Sequence, residues 1–380
     1  MAERLRLCIV SDDFVPAATG VGVHLGVVAP ALAAHGHLVS VVTTRRAGQP
    51  AQERINGIAV YRMPTVKLFD FYQALPSSGT LRRLVQALAP DLVHHHYAGL
   101  MMRRMVSVAA GLGVPQISTW HFGPEILTQP WPMRPLRHWV GREMVRVNNR
   151  CSVVISPSAN LAPELVAMGI RVPVRHISNP LAFAGGAAVV PALRPAGFVV
   201  LYAGRLGPEK NIGHLVQVFH QLLQTHGDAT LWIAGSGPEE AGLRRLCMSL
   251  GVGDKVRFLG FLDHAALATH YAACDAFVLP SLREVQPMVV IEAMRFGKPV
   301  IMTAAIAAAQ ELIDHGVNGF IVDPASVQDM YQCLVKLADD PALRTAMGRS
   351  SRSRAVAFSP EVTVLALEVL YRDVLGHQSA

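Results

Sequence analysis

Two glutamates eight residues apart, Glu284 and Glu292, stand in the stretch Arg283-Glu-Val-Gln-Pro-Met-Val-Val-Ile-Glu-Ala-Met294. The sequence pattern ends a loop at Glu284 and predicts a helix from about Val289. Pro287 suits the first helical turn, because its ring presets φ and its missing N–H would have no partner there. The amides of Met288 and Val289 would then point out of a helix N-terminus, where a phosphate binds well. Glu292 lies one turn deeper, among Val290, Ile291, Ala293 and Met294. It is either a surface glutamate in a capping arrangement or a buried carboxylate that needs donors. The vicinal hydroxyls of a ribose would supply two. A second stretch, Gly204-Arg205-Leu-Gly-Pro-Glu-Lys210-Asn211, places two cations five residues apart. Arginine can fork onto a diphosphate while lysine acts as a point charge. The bland alternative is a solvated basic turn. Gly235-Ser-Gly-Pro238 reads as a tight turn and Thr19-Gly20-Val-Gly22 as a glycine loop opening a helix. The latter is half of a dinucleotide fingerprint, but the third glycine would fall on Leu25, so that reading fails.

The run His94-His95-His96 raises a metal hypothesis. On a strand His94 and His96 share a face and His95 takes the other. Two ligands do not make a metal site, and the run reads as strand-end histidines. The five cysteines, Cys8, Cys151, Cys247, Cys274 and Cys333, are scattered without C-x-x-C spacing. They read as free thiols of a reducing cytosol. Asp12-Asp13 and Asp339-Asp340 read as loop carboxylates, and no D-x-D metal signature is present. The net charge of +7 favours phosphates or an anionic lipid surface. Basic patches interleaved with aromatics are not prominent, which argues against nucleic acid. Neither the run Leu5–Val10, broken by Arg6, nor Pro299–Ala309 approaches a signal peptide or the ~20 apolar residues of a membrane span.

These residues sit at the ends of a repeating pattern. Strand-length apolar runs at Leu5–Ser11, Leu38–Thr43, Asp91–His95, Gln116–Thr119 and Val153–Ser156 alternate with helical patterns at Val21–His35, Leu81–Leu88, Met102–Leu112 and Ala159–Met168. After the Ala-, Gly- and Pro-rich segment Ala182–Pro195 the pattern restarts. Strands are expected at Phe198–Ala203, Thr230–Ala234, Lys255–Phe258, Ala276–Leu279, Pro299–Met302 and Gly319–Val322. Helices fall near Ile212–His226, Glu239–Leu250, Ala265–Ala273 and Val289–Arg295. Near-continuous apolar strands joined by helices imply parallel sheets covered on both faces. The expected fold class is therefore α/β, with two doubly wound Rossmann-like domains joined by a hinge near residue 190 and facing a central ligand cleft at the carboxyl ends of the strands.

Taken together the chain resembles glycosyltransferase family 4, the retaining transferases of the GT-B fold. The resemblance runs over essentially the whole length. It includes Phe14-x-Pro16 with Gly20-Val21, Gly36-His37, His94-His-His96, Ser118-Thr-Trp-His121 and Ser178-Asn-Pro180. Further along it includes Gly204-Arg205 with Glu209-Lys210, Gly235-Ser-Gly-Pro238, Phe258-Leu-Gly260, the E-x7-E pair, Gly297-Lys-Pro299 and Gly316-Val-Asn-Gly319. The E-x7-E pair with the Arg–Lys pair is the specific signal. Two departures stand out: Pro287 where the family often has glycine, and Ala307-Ala308-Ala309-Gln310 where a glycine pair is frequent.

The resemblance implies an N-terminal acceptor-binding domain over 1–185, a linker over 186–197, a nucleotide-sugar-binding domain over 198–360, and a C-terminal helix over 361–380 that packs back on the first domain. It implies that Glu284 binds hydroxyls of the transferred sugar, Glu292 the ribose, and Arg205 and Lys210 the leaving diphosphate. The backbone amides of Gly20, Met288 and Val289 would assist, the main chain near Leu262 would read the base, and His121 would reach the donor sugar. The expected donor is a UDP-sugar, with a GDP- or ADP-sugar as the alternatives, and the resemblance implies no metal and no other cofactor. Catalysis would be electrostatic, with donors preorganised around the developing charge. The attack would come from the front face, with retention. The rivals are an epimerase or phosphorylase of the same architecture, a silent nucleotide-sugar-binding partner, and a dehydrogenase, already weakened by Leu25.

The acceptor is read from Trp131-Pro-Met-Arg134-Pro-Leu-Arg137-His-Trp139-Val-Gly-Arg142-Glu-Met-Val-Arg146. Leu136, Trp139, Val140, Met144 and Val147 form an apolar stripe beside Arg134, Arg137, Arg142, Arg146 and Arg150, with Arg103-Arg104 adding cations. Such a helix suits an anionic membrane surface. The expectation is a cytoplasmic enzyme, peripheral at the inner face of the membrane, acting on a lipid-linked acceptor of envelope glycan or glycolipid synthesis. An ordinary core-packed helix and a small soluble acceptor are the alternatives.

Overall fold

The computed structural model describes residues 4–16, 19–68, 71–96, 99–128, 131–181 and 190–376. Residues 186–189 of the expected linker lie outside them. The chain divides into two compact units, Met1–Ala182 with Pro360–Ala380, and Phe183–Ser359.

Unit 1 begins with β1 (Arg6–Val10), α1 (Gly20–Ala34) and β2 (Leu38–Thr44). Four strands follow that the hydrophobic pattern did not reveal: β3 (Gln52–Ile55), β4 (Ile58–Met63), β5 (Thr65–Leu68) and β6 (Phe71–Ala74). The β3–β4 hairpin turns on Asn56 and Gly57, with φ of 48° and 81°. Asn-Gly is the pair that a two-residue turn with both φ positive demands. Then come α2 (Ser78–Leu88), β7 (Leu92–His95), α3 (Leu100–Ala110), β8 (Gln116–Thr119), α4 (Pro124–Leu127), α5 (Arg137–Asn148), β9 (Val153–Ser156), α6 (Ala162–Met168) and β10 (Val174–His176). The sheet order is β10-β9-β8-β7-β1-β2-β4-β3, parallel except for the β3–β4 pair. The chain leaves β1 toward β2 on one side and returns to β7 on the other, so the switch point lies between β1 and β7.

Unit 2 runs β11 (Val199–Ala203), α7 (Ile212–Leu223), β12 (Thr230–Ala234), α8 (Glu240–Ser249), β13 (Val256–Gly260), α9 (His264–Ala273), β14 (Ala276–Leu279), α10 (Met288–Arg295), β15 (Val300–Thr303), α11 (Ala309–Leu312), β16 (Gly319–Val322), α12 (Val327–Asp339) and α13 (Pro341–Ala355). Its sheet is wholly parallel in the order β13-β12-β11-β14-β15-β16. β11, β12, β14 and β15 are buried at every residue, as expected of strands covered on both faces.

The last helix, α14 (Pro360–Gly376), belongs to unit 1. Its Val364, Leu367, Leu370, Tyr371 and Val374 enter the same core as Leu25, Val28 and Leu32 of α1. Glu368 accepts from His35 Nδ1 at 2.9 Å and His37 Nε2 at 3.0 Å. Leu5 N–H donates to His37 Nδ1, so the ring proton of His37 sits on Nε2, facing Glu368.

At the carboxyl edge of unit 2 the loops after β11 and β12 meet backbone to backbone. Leu206 N–H donates to Ser236 O at 2.9 Å and Glu239 N–H to Leu206 O at 3.0 Å. Gly235 has φ of +133°, and a methyl group on it would lie 1.9 Å from the carbonyl oxygen of Gly204. The Gly-Ser-Gly turn is therefore a spacer that seats the Arg205 loop. Gly235→Ala is expected to destabilise unit 2 by more than about 3 kcal/mol, from steric overlap added to backbone strain. Gly251→Ala, with φ of +67° and open space around it, should cost only about 1–2 kcal/mol. Equal losses in urea unfolding of the two variants would refute the close-approach account.

Candidate functional site

β11 and β14 are neighbours from which the chain departs to opposite sides, so the switch point of unit 2 lies between them. The loop after β11 carries Gly204, Arg205 and a short 3-10 turn, Pro208–Lys210. Asn211, at φ 53°, turns the chain into α7. The loop after β14 carries Ser281 and Glu284. The two loops are tied by Leu282 N–H donating to Glu209 O at 2.8 Å. Across that tie Lys210 Nζ forms an ion pair with Glu284 Oε1, and both side chains are mostly buried. Ser281 Oγ donates to the same carboxylate oxygen at 3.4 Å. Arg205 pairs with Glu209 at 2.7 Å, and Tyr202 O–H donates to the Arg205 carbonyl at 3.0 Å. Both cations are thus held on carboxylates at the switch point, where an incoming diphosphate would compete for them.

Glu284 is fixed by its backbone as well. Ala307 N–H donates to Glu284 O at 3.0 Å and Ala308 N–H to Val285 O at 3.1 Å. The Ala307–Ala309 departure is therefore seated directly against the first glutamate of the pair. Thr303 Oγ1 donates to the Ser281 carbonyl and closes the same loop from β15.

Pro287 is the N-cap of α10, with ψ 116°, not its first helical residue. Helix geometry begins at Met288, so Met288 and Val289 are the first two helical positions, and an α-helix gives their N–H groups no acceptor of its own. Glu292 is 2% exposed, which rules out the surface-cap reading. Burial pushes its carboxyl up to about 7, opposed by the hydrogen bond from Tyr271. Tyr271 O–H lies 3.0 Å from Oε2, and His264 Nδ1 is 3.9 Å from Oε1. Leu262 lies in the turn between Gly260, at φ +66°, and Asp263, the N-cap of α9.

Gly20 and His121 belong to unit 1. Thr19 caps α1 by accepting from Gly22 N–H at 3.0 Å, and Gly20 is the first helical residue. His121 follows β8 near its switch point. His96 Nδ1 and His121 Nε2 share a hydrogen bond at 3.0 Å. His94 is held by Tyr371 O–H and Thr119 Oγ1, both at 2.8 Å, while His95 faces the other way, to Gln116. The alternation expected on the strand is present. What the sequence did not disclose is His24, one turn into α1, which brings the rings of His24, His96 and His121 together. Their nitrogens lie within 4.8 Å of one another, a set able to offer three ligands to a transition metal. Burial holds His24 at about 4 and His94, His96 and His121 well below the usual imidazole range, with mutual repulsion adding for the last three. The cluster is therefore neutral around pH 7.

All five cysteines are free and buried, and burial raises each thiol, so none is a nucleophile at neutral pH. Asp12 departs from the loop-carboxylate reading. It is buried, and burial pushes its carboxyl well up, whereas Asp13 pairs with Arg46. The residues missed by sequence reasoning are Tyr202, Ser281, Tyr271, His264 and His24. Ser281 lies only three residues before Glu284, on the same loop. The others come from elements whose spacing to the motif carries no local signal.

The two units, each built on a doubly wound parallel sheet, have the fold of GT-B glycosyltransferases. The family model for glycosyl transferases group 1 matches residues 190–354, and that for Glycosyltransferase Family 4 matches residues 18–182. The chain belongs to the family 4 glycosyltransferases. It is 27% identical over 375 residues to glycogen synthase of Mycobacterium tuberculosis, covering 92% of this chain and 90% of that one. Sucrose-phosphate synthase of Thermosynechococcus elongatus superimposes with a TM-score of 0.78 at 24% identity, covering 98% of this chain and 99% of that one. Anabaena HepE in complex with UDP and glucose gives 0.76 at 20%, covering 97% and 100%. The chain spans only 21%, 43% and 46% of the length of three further relatives that it matches locally.

The raised carboxyl of Glu292 has a consequence for stability. Between the ordinary value of 4.5 and about 7 the folded protein keeps a proton that the unfolded chain has lost. Stability must therefore fall as pH rises through that window, and the loss is complete above it. Glu292→Gln is expected to be more stable than the parent by about 2–3 kcal/mol at pH 8, with the difference vanishing near pH 4. Denaturant unfolding at the two pH values checks this, and a pH-independent difference would contradict it.

Proposed function

We propose that the chain transfers a sugar from a nucleoside diphosphate sugar, a UDP-sugar, with retention at the anomeric carbon and without a metal. The observation that carries the reading is the meeting of Lys210 and Glu284 at the switch point of unit 2, on the sheet edge that also holds Arg205, the start of α10 and Glu292. Lys210 and Arg205 take the charge that develops on the departing diphosphate, with the amides of Met288 and Val289. Glu284, released from Lys210, takes hydroxyls of the sugar. Glu292 takes the ribose, and the main chain at Leu262 the base. The Anabaena neighbour, which holds UDP and glucose, supplies the precedent for the nucleotide within this fold. With Glu284 assigned to the sugar hydroxyls and Glu292 to the ribose, neither glutamate of the pair serves as a nucleophile. Front-face attack follows, with the leaving phosphate removing the acceptor's proton.

For the acceptor we propose a lipid-linked molecule at an anionic membrane surface. The expected stripe of α5 divides. Met144 and Val147 are in the core, whereas Leu136 and Trp139 are 42% and 57% exposed. Arg134, Arg137 and Arg142 stand on the exposed side of the same segment, while Glu143 is taken by Arg103 and Arg146. No helix among the described residues is long and apolar enough to cross a membrane. Surface association through Trp and Arg is the mode this segment supports.

Arg205→Ala and Lys210→Ala are each expected to lower kcat on the order of 10²–10³-fold, with a smaller change in KM for the donor. The assay is a panel of nucleotide sugars read by mass spectrometry, with the product linkage read by proton NMR. Near-normal turnover in either variant, or an inverted linkage, would overturn the corresponding part of the reading. Separately, the protein should co-sediment with anionic but not neutral vesicles at low salt. Arg134→Ser with Arg137→Ser should weaken that binding by about 2 kcal/mol. Absence of sedimentation, together with full activity on a water-soluble acceptor, would replace the lipid by a small soluble acceptor.

A further inference from the structure

Glu292 is a carboxyl group buried on an apolar helix, and such a group persists only where its charge states are both accommodated. The neighbour that does this is Tyr271 of α9, twenty-one residues earlier in the chain. Its hydroxyl lies 3.0 Å from Glu292 Oε2 and 3.1 Å from the carbonyl oxygen of Val289. The ring is fully buried, stacked on Phe296 at 5.6 Å between centroids and tilted against Phe277 at 5.7 Å. The hydroxyl therefore cannot swing away without breaking packing on two sides.

We infer that Tyr271 is the positioning residue for Glu292: it holds Oε2, and so leaves Oε1 to face the vicinal hydroxyls of the donor's ribose. The inference rests on the ribose reading of Glu292 given above. A phenol has one proton to donate. When Glu292 is ionised, that proton goes to Oε2. When Glu292 is protonated, its own O–H can donate to the phenol oxygen, and the phenol proton turns to Val289 O. Oε2 and the phenol oxygen are therefore partnered in both states, whereas Val289 O receives the phenol proton only when Glu292 is protonated. Val289 is also the second residue of α10, so the hydroxyl that orients the ribose carboxylate touches the turn proposed to hold the phosphates.

Among the described residues the groups that face this carboxyl are Tyr271 and His264, both from α9. His264 Nδ1, at 3.9 Å from Oε1, is beyond hydrogen-bond distance, and burial lowers its own titration. Neither Arg344, Arg349 nor Arg352, on the α13 helix that packs against α10, forms an ion pair with it. Burial raises the Glu292 carboxyl and the Tyr271 bond lowers it. Removal of the hydroxyl must then raise it further. Ribose binding needs the ionised form, so it must shift to higher pH.

The test uses the full chain and Tyr271→Phe, which keeps the ring and its stacking. Binding of UDP and of 2′,3′-dideoxy-UDP is measured by calorimetry from pH 6 to 9. The diphosphate's own titration appears with both ligands and cancels in the comparison. For UDP the variant's affinity midpoint is expected to rise by about one pH unit, which is roughly a fivefold loss at pH 7 that recovers by pH 9. For the dideoxy ligand no shift is expected, and kcat at saturating donor should stay within about twofold of the parent. Carbon-13 NMR of the glutamate carboxyls in the free protein should show the same upward shift of Glu292. An unmoved midpoint for UDP, with Glu292→Gln still weakening UDP binding, would overturn the positioning role alone. Unchanged UDP affinity in folded Glu292→Gln would remove the ribose reading on which it rests.

Discussion

Two parallel strands can be joined only by a chain that travels back along the sheet, so every strand of a parallel sheet ends on the same edge. Both units obey this constraint, and their chemistry follows from it. In unit 2 the edge collects loops from sequence positions as far apart as Gly204 and Ala308. The backbone bonds Leu282 to Glu209, Ala307 to Glu284 and Leu206 to Ser236 lock those loops to one another. Lys210 and Glu284, seventy-four residues apart, meet because their loops leave adjacent strands. A hydrogen-bonded backbone fixes what a pair of long side chains could not fix alone.

Each unit handles buried polarity differently. Unit 2 keeps two kinds of carboxylate. Glu284 is neutralised by a lysine, and Glu292 is left to a phenol in apolar surroundings. The second is an expensive arrangement for folding, and its location on an otherwise buried helix argues that ligand binding maintains it. Unit 1 instead gathers imidazoles and keeps them uncharged. His94, His96, His121 and His24 approach within ring-stacking distance, which is tolerable only without protons to repel one another. A neutral imidazole both donates and accepts, so this patch suits hydroxyl-rich molecules as well as soft cations.

Much of this was legible in the residues. Alternation of apolar runs with helical patterns located the parallel strands, because strands buried on both faces leave a nearly unbroken hydrophobic trace. The spacing of Glu284 and Glu292, and of Arg205 and Lys210, was readable because each pair is local, whereas the ion pair of Lys210 with Glu284 across the two loops was not. The hairpin at Asn56-Gly57 carried a readable turn signal, yet its strands are half polar, with β3 lying at the sheet's edge, and the hydrophobic trace vanishes there. Pro287 was displaced by one position, since a proline before a helix and one inside its first turn look alike in sequence. Tyr271 and His24 were invisible for a deeper reason. They reach the site across space from other helices, and no period in the chain records that approach.

Unit 1 is not contiguous. Its core contains Leu367, Leu370 and Tyr371, which follow the whole of unit 2 in the chain. During synthesis, therefore, unit 2 has its complete set of strands and helices on the outside of the ribosome before unit 1 has its last helix. The usual order, in which the first domain finishes first, is reversed here. Until α14 arrives, Leu25, Val28 and Leu32 of α1 and the Nδ1 of His94 lack the partners they have in the finished fold. A nascent chain of this design leaves the side of α1 that α14 covers without that cover until the intervening unit has been made.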